Sequence, residues 1–395
     1  MSNGDGHIMP TYNRVELRFV RGAGAWLETA AGEKYLDFGS GVAVNTLGHA
    51  NPKLNQALQV QAEKLWHVSN LYQIPEQEKL ANKLCKASFA DLVFFSNSGA
   101  EAAEGMIKAM RKYHAANGAP EKVTLIGFNG AFHGRTLAAL AAAGNPAYLD
   151  GFGPVPQGFV HCPDLTTEAV EKLIDETTAG ILIEPVQGEG GVRDVGTAFL
   201  RALRSLCDKH GILLGFDEVQ CGIGRTGKLF AHEWAEVTPD VMAIAKGIGG
   251  GFPLGAVMST KAVGSAMQPG THGSTYGGNP LACAVGEAVL QEVESDGFLE
   301  QVQDCAVYFR QHLARLLDEN SDIFEDVRGR GLMIGMKCRI ANGDIVAALR
   351  DENLLTIGAG ENVLRILPPL NVTKAEIDLA VKALENACAK LRAGA

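Results

Sequence analysis

A lysine at position 246 and an aspartate at position 217 each end an apolar run, where a buried strand would stop. Lys246 follows residues 239–245 and leads into a glycine-rich run at 247–251, and Asp217 follows residues 212–216. A desolvated lysine has a lowered pKa and can form a Schiff base with an aldehyde. A buried carboxylate needs a partner, and a protonated pyridine nitrogen would serve. The two residues together predict chemistry on pyridoxal 5′-phosphate (PLP).

A second candidate segment could bind a phosphate. Ser98 and Glu101 have the spacing of a helix-capping box directly after a predicted strand. Gly99 and Ala100 lie between them and carry little side chain, so an anion could reach the backbone N–H groups at the helix start. An ordinary helix cap without a ligand explains the same pattern.

A third candidate follows the predicted strand at 123–128. Phe132 could stack on a planar ring, and Arg135 could bind a carboxylate through its bidentate guanidinium. A core phenylalanine and a surface arginine are the alternative. The polar, glycine-rich loop at 272–280 carries hydroxyl groups that could bind phosphate, although a plain loop is the better explanation when this segment is considered alone.

The residues after Asp217 extend the predicted site. Gln220 could donate to or accept from a ring oxygen, and Val219 could pack on the ring face opposite Phe132. Alternatively, Asp217 could form a buried ion pair with a structural arginine such as Arg225.

Two acids and an arginine form a further candidate set. Glu184 and Glu189 follow an apolar run, and Arg365 lies inside another. Paired acids are typical of general acid–base catalysis or of a metal site. An arginine bound by Glu189 is the alternative.

Alternating strands and helices must position these residues. We predict strands at 15–20, 25–28, 35–38, 92–96, 123–128, 179–186, 212–217, 241–245, 325–327, 332–337 and 363–366. We predict helices at 52–65, 75–86, 101–117, 198–210, 346–352 and 374–389, with a helix-rich stretch at 286–320. Apolar strands separated by helices predict a mostly parallel sheet that gathers ligands at its C-terminal edge.

The composition narrows the classes of protein. The chain has 395 residues, of which 46% are hydrophobic and 20% charged, and its formal net charge is −10. This length suits a large core with two domains, and an acidic chain without a basic cluster is not expected to bind nucleic acid. No apolar run is long enough for a membrane helix, and residues 1–7 lack the pattern of a secretion signal, so we expect a cytoplasmic protein. The eight cysteines and ten histidines show no metal-site or disulfide spacing.

Taken together, these segments resemble the class III, ornithine-type aminotransferases, from about residue 15 to residue 391. The segments that carry the resemblance are 98–102, 132–135, 184–189, 217–220, 246–247 and 274–279. The resemblance implies an α/β fold of PLP-dependent transferase fold type I. A large domain at 51–300, with a mostly parallel sheet, would be joined by a small α/β domain built from residues 1–50 and 301–395.

The resemblance also implies roles for single residues in PLP binding and catalysis. Lys246 would form the Schiff base and move a proton between the substrate Cα and the cofactor C4′. Asp217 would bind the pyridine nitrogen and Gln220 the phenolic oxygen. The other implied cofactor contacts are Ser98, Gly99, Ala100, Phe132, Glu218 and Val219.

Thr275 would reach the PLP phosphate of a neighbouring subunit, so that a homodimer shares its active sites. Ser274 would lie by the substrate. Arg135 would bind a substrate carboxylate, and Arg365 would bind the α-carboxylate of 2-oxoglutarate. Glu189 would neutralise Arg365 when the amino donor presents its amine at the far end.

Residues 37–49 are similar to the acetylornithine branch of this family, because small residues at 41–42 leave room for an acyl group where ornithine aminotransferases place a tyrosine. The expected reaction is ping-pong transfer of the δ-amino group of N2-acetyl-L-ornithine to 2-oxoglutarate, in arginine biosynthesis. Succinylornithine, N-succinyl-diaminopimelate, ornithine and 4-aminobutyrate stay open as donors, because a few methylenes change binding by only about 1–3 kcal/mol. A PLP aminomutase or racemase is the alternative class of enzyme.

Overall fold

The computed structural model describes residues 7–393. Residues 1–6 and 394–395 lie outside this range. The expectation that residues 1–7 carry no secretion signal therefore concerns mostly residues that are not described. The outermost ends of the predicted domain segments, 1–50 and 301–395, also lie outside the described range.

Seventeen strands lie within the described range. They are β1 (Phe19–Ala23), β2 (Trp26–Thr29), β3 (Lys34–Asp37), β4 (Leu92–Ser96), β5 (Thr124–Phe128), β6 (Phe159–Cys162), β7 (Thr178–Ile183), β8 (Val186–Gln187), β9 (Arg193–Asp194), β10 (Leu213–Asp217), β11 (Val241–Ile244), β12 (Gly255–Ser259), β13 (Phe324–Arg330), β14 (Met333–Cys338), β15 (Leu354–Leu355), β16 (Ile357–Ala359) and β17 (Val363–Ile366).

The same range contains thirteen α-helical segments and two 3₁₀ turns, at Ala231–Trp234 and Lys246–Gly249. The helical segments are α1 (Ser40–Ala43), α2 (Pro52–Ala62), α3 (Pro75–Lys86), α4 (Gly99–Ala116), α5 (Leu137–Ala143), α6 (Pro146–Leu149), α7 (Thr167–Glu171), α8 (Thr197–His210), α9 (Lys261–Gly264), α10 (Pro280–Val293), α11 (Phe298–Glu319), α12 (Asn342–Asp351) and α13 (Lys374–Ala393).

A seven-stranded sheet in the order β4-β12-β11-β10-β7-β5-β6 forms the centre of the molecule. Only β12 runs antiparallel to its neighbours, so the predicted mostly parallel sheet is confirmed. Every residue of β7, β10, β11 and β12 is buried, as expected for strands that are covered on both faces. The strands β6 and β12 are not among the predicted ones, because both are short and β12 starts at a glycine.

The parallel orientation brings the functional candidates to one edge of this sheet. The strands β4, β5, β7, β10 and β11 all end there, and β12 starts there, with Gly255 opposite Ser96. This is the edge at which open α/β sheets bind ligands.

Two four-stranded sheets accompany the large one, and the first of them joins the beginning of the chain to its end. The sheet β1-β2-β3-β15 contains a parallel pair between β3 and β15, and the sheet β13-β14-β17-β16 carries Arg365 on β17. The strand predicted at 15–20 is misplaced: β1 spans Phe19–Ala23, because the tight turn that pairs Ala23 with Trp26 sets the register of the hairpin.

One apolar core joins the large sheet to the sheet that contains β17. Phe216 and Ile244 of the large sheet and Leu364 of β17 belong to the same buried cluster. Arg365, the neighbour of Leu364, is thereby held at a fixed position relative to the edge of the large sheet. None of the helices within residues 7–393 is long and apolar enough to cross a membrane.

Candidate active site

Asp217 and Lys246 meet at the C-terminal ends of adjacent parallel strands. Asp217, the last residue of β10, lies opposite Ala243 of β11, three residues before Lys246. The predicted proximity of the two residues is therefore present in the fold, and it follows from the parallel pairing of β10 and β11.

Lys246 has the features of a reactive amine. Burial lowers its pKa to about 8; the charge of Arg365 adds to this effect, and that of Glu189 opposes it. Its backbone is left-handed, with φ at +47°, a conformation that is uncommon for non-glycine residues and that clusters at functional sites. Within residues 7–393, Nζ makes no hydrogen bond and no ion pair. The amine is thus available as a nucleophile.

Asp217 is buried and held by two hydrogen bonds. Its Oδ2 lies 2.7 Å from Nδ1 of His133, and its Oδ1 accepts from the N–H of Val219 at 3.0 Å. The alternative pairing with Arg225 is wrong, because the Arg225 guanidinium donates to the carbonyl oxygens of Leu332 and Pro368.

His133 and Glu184 belong to the same buried group of charges, and neither was predicted to contact Asp217. Burial lowers the pKa of His133, but the hydrogen bond and the charge of Asp217, with Glu184, raise it overall. Burial raises the pKa of Glu184 to about 7, and nearby Asp217 adds to the rise. The Glu184 carboxylate accepts from the N–H groups of Phe132 and Gly188 at 2.9 and 3.3 Å, and so fixes the loop that carries Phe132.

The start of α4 is an N-terminus of the kind that binds anions. Ser98 caps the helix by accepting from the N–H of Glu101 at 3.2 Å. The predicted capping box is incomplete: the Glu101 carboxylate accepts from the N–H of Asn97 at 2.8 Å, and not from that of Ser98. The first N–H groups of a helix have no intrahelical partner, so those of Gly99 and Ala100 can face an anion.

Val219 lies directly against this helix start. A Cβ on Gly99 would come within 2.7 Å of Val219 Cγ1, so no larger residue fits at position 99 without movement. The carboxylate of the neighbouring Glu218 points elsewhere. It accepts from the N–H groups of Ala231 and His232 at 2.6 and 2.8 Å and from the ring of His232 at 2.8 Å. A cofactor contact of Glu218 would therefore have to come from its backbone.

Gln220, Arg365 and Glu189 form one connected group. Arg365 Nη1 donates to Glu189 Oε1 at 2.6 Å and to Gln220 Oε1 at 3.0 Å. The predicted ion pair between Glu189 and Arg365 is present. Arg365 is only 2% exposed, whereas the Glu189 side chain is 28% exposed, so the acid is the more mobile partner. Because Gln220 Oε1 is occupied by Arg365, its amide nitrogen is the group left for a ligand.

Arg135 lies at the surface next to two aromatic rings. Its guanidinium carbon is 3.9 Å from the ring centre of Tyr148 and 5.4 Å from that of Phe132. In the described part of the chain it forms no ion pair. The cation is thus oriented by cation–π contacts and available for a carboxylate. Nothing in the sequence indicated Tyr148.

The loop with Ser274 and Thr275 packs beside the start of α4. Ser274 Oγ accepts from the N–H of Gly277 at 2.9 Å and from Asn97 Nδ2 at 3.4 Å. Asn70 Nδ2 donates to the carbonyl oxygens of Ser274 and Gly277, both at 3.0 Å. Thr275 is exposed. The structure thus places Ser274 at the site of its own chain and leaves Thr275 facing outward.

These residues fit PLP. A partner-free lysine, a buried acid and an unobstructed helix start lie at one sheet edge, and they match the aldehyde, pyridine nitrogen and phosphate of PLP. The described residues contain no group of three His, Cys, Asp or Glu side chains that could hold a metal ion.

The sequence matches the family described as "Aminotransferase class-III" over residues 8–388. It is 57% identical over 385 residues to "Acetylornithine aminotransferase 1" of Bradyrhizobium diazoefficiens, covering 98% of this chain and 95% of that protein.

Two crystal structures have the same fold. The ornithine aminotransferase of Toxoplasma gondii ME49 has a TM-score of 0.95 at 30% identity and covers 98% of this chain and 94% of its own. The N-acetylornithine aminotransferase of Stenotrophomonas maltophilia K279a has a TM-score of 0.85 at 37% identity, and the match covers 97% of this chain and 98% of that chain. The chain therefore belongs to the class III aminotransferases, which use PLP as their cofactor.

Proposed function

We propose that the chain transfers the δ-amino group of N2-acetyl-L-ornithine to 2-oxoglutarate, forming N-acetyl-L-glutamate 5-semialdehyde and L-glutamate in arginine biosynthesis. The observation that carries this proposal is the ion pair between Arg365 and Glu189, close to the free amine of Lys246. The names of relatives at 55–57% identity support the acetylated donor.

The switch between the two substrates follows from this ion pair. An ω-amine donor carries no carboxylate next to its reacting amine, so Arg365 can stay paired with Glu189. When 2-oxoglutarate binds, its α-carboxylate replaces Glu189 on the guanidinium, and the half-exposed acid turns towards solvent. Arg135 binds the distal carboxylate of either substrate. One site can thus accept two substrates of different shape.

Different residues of the site would contact different parts of the PLP molecule. Asp217, hydrogen-bonded to His133, would bind the pyridine nitrogen, and Gln220 would bind the phenolic oxygen through its amide nitrogen. Gly99 and Ala100 would bind the phosphate with their N–H groups, next to the Ser98 cap. Phe132 and Val219 would cover the two ring faces, and Ser274 would lie by the substrate.

PLP supplies an aldehyde that binds amines covalently and a ring that withdraws electrons from them. Lys246 supplies the amine that holds the cofactor when no substrate is bound. While substrate is bound, Lys246 Nζ would take the proton from the substrate carbon that bears the amine. The low pKa of this lysine keeps part of it neutral near pH 7, as a general base requires.

We also propose that two copies form a homodimer in which Thr275 completes the phosphate site of the partner. Exposed apolar side chains lie in the loop that carries Thr275 and in segment 66–72, which contacts this loop through His67 and Asn70. They are Trp66, Leu71, Tyr72 and Tyr276, at 65%, 86%, 70% and 63% exposure. Patches of this kind are typical of protein interfaces. Sedimentation should give twice the monomer mass, and Thr275→Ala should weaken PLP binding without dissociating the dimer. A monomer that binds PLP normally would contradict this arrangement.

We further propose a large domain at 51–300 and a small domain formed by residues 1–50 and 301–395. The parallel pairing of β3 with β15 supports this division, because it ties the two chain ends to one sheet. A cytoplasmic location suits the proposed biosynthetic role, and fractionation of cells that express the protein would test it.

The activity is tested with purified protein, N2-acetylornithine and 2-oxoglutarate. We expect semialdehyde and glutamate in equal amounts, and no more than one equivalent of semialdehyde per active site when 2-oxoglutarate is omitted. Sustained turnover without 2-oxoglutarate would indicate an aminomutase or a racemase instead. Exchange of the donor for succinylornithine, N-succinyl-diaminopimelate, ornithine or 4-aminobutyrate tests the related aminotransferases in the same assay.

A further inference from the structure

Residues Ser40–Ala43 (α1) form a single turn of left-handed helix. The φ angles are +47° at Ser40, +62° at Gly41, +64° at Val42 and +63° at Ala43. Only Gly41 is a glycine. L-residues avoid this region, and a β-branched valine in it is an outlier. Such conformations persist only where the surrounding structure enforces them, and they cluster at functional sites.

The buried carboxylate of Asp37 enforces the start of the turn. Its Oδ1 accepts from the N–H groups of Gly39 and Ser40 at 3.0 and 2.9 Å. Its Oδ2 lies 2.8 Å from Nε2 of His49. His49 is itself fixed, because its own N–H and carbonyl bond to Gly24 in the β1–β2 turn, at 2.7 and 3.0 Å. The chain from Gly24 through His49 to Asp37 therefore determines where the turn begins.

The end of the turn packs beside Arg365. Ala43 belongs to a buried apolar cluster with Val363 and Leu367, which lie two residues before and after Arg365. Cys221, the neighbour of Gln220, belongs to the same cluster. A shift of the turn would therefore also displace the neighbours of the residues that are proposed to bind the substrate carboxylate.

The segment after the turn packs beside Lys246. A Cβ on Gly247 would come within 2.8 Å of Thr46 Oγ1, so Thr46 lies directly against the residue that follows the lysine. The turn therefore bridges the space between Lys246 and Arg365. Gly41 is exposed and Val42 is partly exposed. The two small residues of the turn are thus accessible to a ligand.

We propose that Asp37 and His49 are positioning residues that hold the left-handed turn and thereby fix Gly41 and Val42, the small residues that the resemblance to acetylornithine aminotransferases implies lie next to the acyl group. Neither residue touches the reacting atoms; both act through the backbone of the turn. The inference deepens the proposed function and rests on it, since it assumes an acylated ω-amine donor.

The test compares two donors on the same enzyme preparation. The loss of PLP absorbance is followed with N2-acetylornithine and with ornithine, and the ratio of the two kcat/KM values is taken. This ratio does not depend on the fraction of folded protein. His49→Ala removes the support of Asp37, whereas His49→Gln retains an N–H donor. His210→Ala is the matched control, because His210 also pairs with a carboxylate, that of Glu171, but at the opposite edge of the sheet.

We expect the donor ratio to fall by about tenfold in His49→Ala, which is the lower end of the range for small pocket contacts. We expect it to recover in His49→Gln and to stay unchanged in His210→Ala. Equal losses for both donors in His49→Ala would overturn the inference, because a merely structural role scales both rates together. If His49→Ala does not fold, Asp37→Asn must shift the ratio in the same direction, and an unchanged ratio there refutes the inference. A wild-type enzyme that does not prefer the acetylated donor contradicts the proposed function instead.

Discussion

Replacing Glu189 by alanine removes the only carboxylate that holds Arg365 among the described residues, and it should open the site to donors with an α-amine, such as glutamate. Arg365 Nη1 donates to Glu189 at 2.6 Å, and the arginine is almost fully buried. A hydrogen bond to a charged group contributes about 1.5–3 kcal/mol. Because Glu189 is 28% exposed, we take the lower end of this range. About 1.4 kcal/mol corresponds to a tenfold change in rate.

We therefore expect kcat/KM for glutamate in Glu189→Ala to rise about tenfold relative to that for N2-acetylornithine. The assay is stopped-flow absorbance of the PLP enzyme mixed with each donor alone. Asp194→Ala is the matched control, since Asp194 forms a 2.8 Å pair with Arg330 and its side chain is 25% exposed. An unchanged donor ratio in Glu189→Ala, or an equal change in Asp194→Ala, would refute the substrate switch.

Four further predictions follow from the site. Lys246→Ala should abolish turnover yet still bind PLP; mass spectrometry after borohydride reduction should find the cofactor covalently attached only in wild type. PLP uptake by the apoenzyme should speed up with pH and reach half its maximal rate near pH 8, where Lys246 loses its proton; a midpoint above pH 10 would contradict a desolvated lysine. Gly99→Ala should weaken PLP binding roughly tenfold, because the new Cβ meets Val219, whereas Gly343→Ala, with nothing within 4 Å, should not. The pKa of Glu184 is raised to about 7, so the folded state holds this proton more tightly than the unfolded state does, and the protonated group stabilises the fold fully below pH 4.5. This contribution is lost as pH rises through about 7. The Tm of wild type, taken relative to that of Glu184→Gln, should therefore fall by roughly a few degrees between pH 5 and 8.

The sequence allowed the prediction of those parts of the site that depend on strand ends. Lys246 and Asp217 follow continuous apolar runs, and parallel strands bring such residues to one edge whatever the rest of the chain does. The ion pair between Glu189 and Arg365 joins residues 176 positions apart, and the family resemblance, not a local pattern, predicted it.

Other contacts could not have been predicted from the sequence. His133 pairs with Asp217 and Tyr148 with Arg135 only because distant loops meet, and a single histidine or tyrosine carries no periodic signal. The left-handed turn at Ser40–Ala43 contains three non-glycine residues, so the usual indicator of positive φ is missing there. The position of β1 also depended on a hairpin register that the apolar pattern at 15–20 did not determine.

The most direct test of the proposed function is the half-reaction of the purified enzyme with single amino donors. The PLP absorbance is recorded after mixing with N2-acetylornithine, N2-succinylornithine, ornithine, 4-aminobutyrate or N-succinyl-diaminopimelate, each without 2-oxoglutarate. We predict the fastest loss of PLP absorbance with N2-acetylornithine and its return when 2-oxoglutarate is added. A faster reaction with another donor would contradict the acetylornithine assignment, and no reaction with any donor would contradict ω-amine transfer altogether.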